Sequence, residues 1–491
     1  MLRDFVMRGQ FAATLFARVA VLALVAIPAG GVAAAQGPQG SPDDANLAQA
    51  AEPLPPADQN AGDGPALPAD AESLRDAIVA SLKSNPDIQI ALAKQDDAKF
   101  GVSQSRAGNL PHVDMQIGYG PEIVRQNGTT GDLNKRFEGT VTVNQNVWDF
   151  GTTSNDIKRS KASYRAMQWA TREQIEAITF DITNAYLGIL QQQKLIELGN
   201  EEMAATKKIL RMITVQKELG LTTQADVDRA KARVENLQSS LLDRQSLLQQ
   251  ARDSYTRLTD RSPGRAVDLP PSGGALPATV DAAVEMISQH SPRMAQAVED
   301  RRSLERQYAS QKGTFFPRVG VQLQGNHRYD VLGRTGLVQD ARGMVTLSYS
   351  FLNGGADVAL RNRIGARLRQ ADYELERRRR EVEQDLRADF QSLGAARQKM
   401  ATISAEIESA ERVADLYKQQ FKESKRSVFD LLDSQQGLFN ARGSYVANDI
   451  AMKLAEYRVL QKLGGLFTLV SDGEPLPRLT MPAPVVAGSG Y

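Results

Sequence analysis

The stretch LPHVDMQIGYG (residues 110–120) opens with Leu110-Pro111 and then sets Val113, Met115, Ile117 and Tyr119 in alternation with Asp114, Gln116 and Gly118. A period of two is that of a β-strand, and a proline suits its start because it cannot donate into a hydrogen-bond ladder. The stretch FPRVGVQLQGN (residues 316–326) repeats the plan, with Val319, Val321 and Leu323 against Gly320, Gln322 and Gln324. Pro111 and Pro317 are 206 residues apart, as are the Pro residues of Asn85-Pro86 and Ser291-Pro292. Further on, Gly139 and Gly343, Gly151 and Gly355, Asp181 and Asp385, and Asp226 and Asp430 are each separated by 204. Spacing preserved over so long a run predicts an internal duplication, with a two-residue change absorbed in one loop.

Each opening strand has an alternating partner. Phe137, Val141, Val143 and Val147 stand against Thr140, Thr142, Asn144 and Asn146, and Val345, Leu347, Tyr349 and Phe351 against Thr346, Ser348 and Ser350. Gly- and Asn-bearing loops join the pairs into hairpins over about 112–148 and 318–352. A soluble sheet packed on one face would alternate in the same way. Strands near ten residues, aromatics at their ends (Tyr119, Phe137, Trp148) and polar opposite faces also fit a transmembrane barrel, with Val141, Val143, Val345 and Leu347 expected to face lipid.

Gly151 and Gly354-Gly355 end the strands, and about 70 helix-forming residues follow each before Gly220 and Ser424, or roughly 100 Å of helix. Past the turn, Val227, Val234, Leu241, Leu248 and Tyr255 recur every seven residues, and Leu431, Leu438, Tyr445, Met452 and Val459 do so 204 residues later. This is a coiled-coil seam. Ala230, Leu237, Ala251, Ala441 and Ala455 hold the second seam position, interrupted by Arg244 and Lys462. The fold class expected is α+β, mostly α.

Composition removes other classes. The 491 residues include no Cys, and His112, His290 and His327 are too scattered to suggest a metal site, so no cofactor is expected. With 59 Lys and Arg against 58 Asp and Glu, nothing points to nucleic acid as a partner. The run Arg377–Arg380 is interleaved with Glu374, Glu376, Glu381 and Glu383 and reads as a salt-bridged helix face. No phosphate loop, HExxH or EF-hand pattern occurs, and no enzyme is expected.

Residues 1–35 read as an export signal: Arg3, Arg8 and Arg18 precede the apolar run Val19 to Ile27, and Ala33-Ala34-Ala35 precede cleavage before Gln36. Residues 36–72 and 473–491 are Pro-rich and poor in large apolar side chains, and read as disordered tails. Between them lie a first repeat over 73–270 and a second over 278–466.

Four strands cannot close a membrane barrel, for such barrels begin at about eight, and hydrocarbon does not tolerate open edges. Three chains would supply twelve, so a homotrimer is expected, its helices forming a matching tube beyond the membrane lipid.

In order and spacing these features resemble the TolC-like outer-membrane efflux and secretion proteins, from about Leu74 to Leu466. The marks are the two repeat starts, the prolines and glycines at the barrel-to-helix transitions (Pro111, Gly151, Pro317, Gly354, Gly355), and the hairpin-tip pattern ending Asp226-Val227 or Asp430-Leu431-Leu432-Asp433. The resemblance implies a trimer with a twelve-stranded barrel in the outer membrane and an α-helical barrel in the periplasm. It implies a passive exit duct, joined through a periplasmic adaptor to an inner-membrane transporter. It also implies that Asp430 and Asp433 constrict the periplasmic entrance, with Phe421, Arg426 and Asp226 as its latch. Asp226 and Asp430 read equally well as N-terminal helix caps. Ser424 departs from the glycine found at Gly220. Trp148-Asp149-Phe150-Gly151 resembles the strand exit of the type I protein-secretion branch. The rival reading is a soluble periplasmic coiled-coil adaptor or scaffold, which would have no use for membrane-length strands.

Overall fold

The computed structural model describes residues 73–126, 129–130, 133–269, 276–332, 335–423 and 425–471. The signal segment 1–35, the tails 36–72 and 473–491, and Ser424 lie outside the described residues. The order of elements is α1 (Leu74–Ser84), α2 (Pro86–Ala107), β1 (His112–Glu122), the short β2 (Arg125–Gln126) and β3 (Thr129–Thr130), β4 (Asn134–Trp148), α3 (Thr152–Glu218) and α4 (Gln224–Thr259). Then come α5 (Val280–His290), α6 (Pro292–Gly313), β5 (Arg318–Tyr329), β6 (Leu337–Ser348), α7 (Ala356–Lys422), α8 (Val428–Leu463) and α9 (Leu466–Val470). α3 and α7 are 67 residues each, α4 and α8 are 36 each.

Local chemistry sets the boundaries. Pro86 and Pro292 take the first position of α2 and α6, where a missing N–H costs nothing. Asn85 Oδ1 accepts the N–H of Asp87 at 3.0 Å, and its Nδ2 donates to Leu258 O at 2.9 Å, which ties α2 to the end of α4. Gly220 has φ +71°, with Leu221 N–H reaching Gln216 O at 2.8 Å and its own N–H reaching Lys217 O at 2.9 Å, the paired bonds that close a helix end.

The chain divides into two compact units, and neither is a sequence repeat: one holds 98–164 and 300–371, the other the remaining described residues. Each unit draws on both repeats. The first contains an antiparallel sheet in the order β1-β4-β5-β6. β6 stops at Ser348, four residues short of the expected 352, because its partner β5 begins at Arg318 and Pro317 has no N–H to offer Tyr349 or Phe351.

In the second unit the main core joins Ile78, Ile88, Ile175, Ile182, Tyr186, Leu187, Tyr255 and Phe467. A smaller cluster at the helix tips joins Ile209, Ile213, Ala230, Phe421, Val428, Leu431 and Leu432. No described helix is long and apolar enough to cross a membrane.

Candidate functional site: a two-faced sheet and a capped helical tip

The register sorts the four strands into two faces. One carries cross-strand rows Val113, Val143, Leu323, Gly343 and Met115, Val141, Gly325, Ala341. A bulge between Asn146 and Trp148 sets Trp148, in place of Val147, beside Val319 and Leu347 on this largely apolar face; the row before it is Gln145, Val321 and Val345, and towards the other end Ile117 and Gly139 stand in a row with His327 and Gln339. Val345 and Leu347 are 77% and 70% exposed, and Val113 66%. The other face carries rows Asp114, Thr142, Gln324, Arg342 and Gln116, Thr140, Asn326, Asp340. Its side chains bond to one another: Thr140 Oγ1 to Asn326 Oδ1 at 3.0 Å, Asn326 Nδ2 to Asp340 Oδ2 at 2.7 Å, and Arg342 Nε to Gln324 Oε1 at 3.0 Å. One face of the sheet is thus largely apolar and exposed, and the other is polar with its side chains bonded to one another. The outer edges of β1 and β6 have no strand partner among the described residues.

At the strand–helix junctions Phe150 and Gly151 have φ of +52° and +85°, and Gly354 and Gly355 have +54° and +80°. Pro111 and Pro317 precede β1 and β5 directly. Asp149 caps α3, its Oδ2 accepting Thr153 N–H at 2.8 Å and Asn146 Nδ2 at 3.0 Å.

At the tips, Asp226 and Asp430 each complete a capping box. Asp226 accepts from the Oγ1 atoms of Thr223 at 2.7 Å and Thr222 at 2.8 Å, and these hydroxyls hold its carboxyl below the usual range. Asp430 accepts from Ser427 Oγ at 3.0 Å and returns its N–H to that oxygen at 3.1 Å. Arg426 donates to Gln420 Oε1 at 2.9 Å, lies 4.4 Å above the Tyr417 ring and comes within 3.9 Å of Asp430. Asp433 is exposed, without a charged partner among the described residues. Phe421 is only 4% exposed, its ring packed in the tip core rather than presented at the surface. Sequence reasoning missed Tyr417 and the Arg229–Phe429 pair at 5.3 Å, whose spacing mimics ordinary helix surface. No group of His, Asp and Glu among the described residues could hold a metal ion.

These features define a class: a mostly helical chain carrying a short, two-faced arc of sheet with open edges. The family described as outer membrane efflux protein matches residues 77–259 and again 283–465, and the chain belongs to that family. It is 21% identical over 392 residues to the alkaline protease secretion protein AprF of Pseudomonas aeruginosa, covering 75% of this chain and 79% of that protein. It is also 21% identical to the outer membrane protein TolC of Vibrio cholerae, over 78% of this chain and 90% of that one. Among solved structures, CusC superposes with a TM-score of 0.72 at 14% identity, covering 80% of this chain and 92% of CusC. VceC of Vibrio cholerae superposes with 0.70 at 17% identity, covering 80% and 96%. The protein's place is the outer membrane, and the soluble adaptor reading is not favoured.

Proposed function

We propose that three copies close twelve strands into one barrel, and that the assembly is the passive exit duct of a tripartite export system. A periplasmic adaptor and an inner-membrane transporter would deliver cargo to its helical end. The observation that carries this reading is the sheet itself: four strands, one largely apolar face and two edges unpaired among the described residues, which hydrocarbon tolerates only when closed. Export of protein cargo is favoured by the Trp148–Gly151 segment and by similarity to a protease secretion protein. The energy for transport would come from the transporter. Threefold symmetry would bring Asp430 and Asp433 together as six carboxylates at the entrance, with Arg426, Asp226 and the tip core around Phe421 governing closure. Detergent-extracted mature protein should give a trimer by native mass measurement and discrete single-channel currents in planar bilayers. A stable monomer, or protein soluble without detergent, overturns the reading.

A further inference from the structure

We propose that the helix ends adjoining the sheet form a basic collar that binds the headgroups of anionic phospholipids at the periplasmic boundary of the membrane. The inference rests on the reading that the apolar sheet face meets lipid.

Aromatic rows locate that boundary. Tyr119, Phe137 and Tyr329 align at one end of the apolar face. At the other end Trp148 aligns with Leu347, the Phe150 ring lies 6.0 Å from Trp148 and stacks on Phe316 at 4.9 Å, and Tyr349 meets Phe351 at 6.2 Å. The span from Leu337 to Leu347, at about 3.4 Å per residue and a tilt of about 40°, is about 26 Å, close to the apolar height of a membrane barrel. Such aromatic rows mark the two membrane–water interfaces. Residues just beyond the second row therefore sit among headgroups.

There the charge changes character. The non-strand segments 98–111, 149–164, 300–317 and 349–371 hold thirteen Lys and Arg against five Asp and Glu, although the chain as a whole has 59 basic and 58 acidic residues. Two of those acids are already engaged, Asp149 as the cap of α3 and Asp156 with Arg159 at 3.4 Å. Arg106, Lys158, Lys161, Arg363, Arg367 and Arg369 are exposed and have no carboxylate partner among the described residues. Arg106 is in the last turn of α2, Lys158 and Arg363 lie about 10 Å into α3 and α7, and Lys161, Arg367 and Arg369 lie about 14–20 Å in. No acid occurs between Asp357 and Asp372. Further along α7 the pattern reverses: Arg377, Arg379 and Arg380 pair with Glu381, Glu376 and Glu383. The basic side chains named above are left open, and in the segment between β6 and α7 Phe351 and Leu352 are 89% and 85% exposed. Cations beside exposed apolar side chains are the arrangement that holds an anionic lipid by headgroup and chain together. Each basic side chain near an anionic surface strengthens binding about fivefold.

The test compares phosphatidylglycerol with phosphatidylethanolamine bound to the detergent-extracted full trimer, by native mass spectrometry. The wild-type protein should prefer phosphatidylglycerol about tenfold or more, less so at high salt. The combined K158Q/K161Q/R363Q/R367Q/R369Q variant should lose the preference, and the corresponding R363K/R367K/R369K protein should keep it. R377Q/R379Q/R380Q, which removes charge among paired arginines, should also keep it. Absence of preference in the wild type, its persistence in the five-site variant, or equal loss in the paired-arginine control overturns the collar. So does a shifted reversal potential with lipid preference unchanged, which would place these charges on the duct. Insertion of wild-type protein into phosphatidylethanolamine vesicles tests the lipid-facing sheet separately: its failure overturns both readings, whereas loss of headgroup preference alone overturns only the collar.

Discussion

The carboxylate of Glu176, in α3, accepts the backbone N–H of Phe467, 291 residues away, at 3.1 Å. Arg172 closes on its other oxygen at 2.8 Å and donates to Gly464 O and Thr468 Oγ1, both at 3.0 Å, with its guanidinium 5.6 Å from the Phe467 ring. The start of α9 is thus held to α3 by hydrogen bonds from both Arg172 and Glu176, which pair with each other within α3, and the apolar cost of Leu466 and Phe467 staying exposed is avoided by packing them in the main core.

This clamp should make stability depend on pH. Burial pushes the Glu176 carboxyl from 4.5 up to about 7, against the opposing pull of Arg172. The folded chain then holds this proton more tightly than the unfolded chain. This group's contribution to stability is highest below about 4.5, falls between there and about 7 and levels above it, a loss of about 3 kcal/mol. Burial lifts Glu202, beside Thr206, to about 7 as well, so the two slopes add. Guanidinium unfolding from pH 5 to 8 should show the fall in the wild type, a shallower one in Glu176→Gln or Glu202→Gln, and a nearly flat profile in the double variant. A flat wild-type profile contradicts the assignment.

What the sequence displays is what repeats locally. The alternation around Val113 and Val319 and the glycines at Gly151 and Gly355 are short-range signals, so strand and helix types are legible from them. The end of β6 is not, because Tyr349 and Phe351 keep the alternation while their partner strand has run out at Pro317. The Glu176 clamp is equally hidden: Glu176 is one of several glutamates within 67 helical residues and looks like surface charge until α9 is placed over it. At the tip, Asp226 and Asp430 read in sequence as the N-terminal caps, whereas Thr223 and Ser427 take that position and the aspartates close the box from three residues on; the burial of Phe421 arises from α3, α4 and α8 meeting around it.

The two sheet faces should respond oppositely to charge. Arg in place of Val141, Val143, Val345 or Leu347 should cost about 2–4 kcal/mol near the membrane midplane, read as loss of heat-resistant assembly on gels. Arg in place of Thr142 or Thr346, on the polar face, should assemble normally. Equal defects from both sets would point to a sheet packed on both sides.

Gly313 is fixed by a close approach at the end of α6. A Cβ there would stand 3.1 Å from the Thr152 backbone nitrogen and 3.2 Å from Phe150 O, contacts with main chain that cannot rotate away. Gly313→Ala should lower stability by about 1–3 kcal/mol. Gly437→Ala, with open space around the added carbon and a helical backbone, should be neutral or slightly stabilising. Chemical unfolding of the two variants side by side checks the contrast.

The tip residues can be separated by pairing conductance with stability. Asp430 caps α8 through Ser427, so Asp430→Ala should cost about 1 kcal/mol wherever the entrance lies. Asp433 makes no cap, and Asp433→Ala should leave stability unchanged. If both carboxylates ring the entrance, each substitution should lower cation selectivity and weaken block by trivalent ions, the double change most, with the effect screened at high salt. Arg426→Ser removes the guanidinium that lies over Tyr417, bonds Gln420 and faces Asp430, and should raise single-channel conductance by loosening the closed tip. A stability loss in Asp430→Ala, with conductance, selectivity and block unchanged in all three variants, would make Asp430 a helix cap and nothing more.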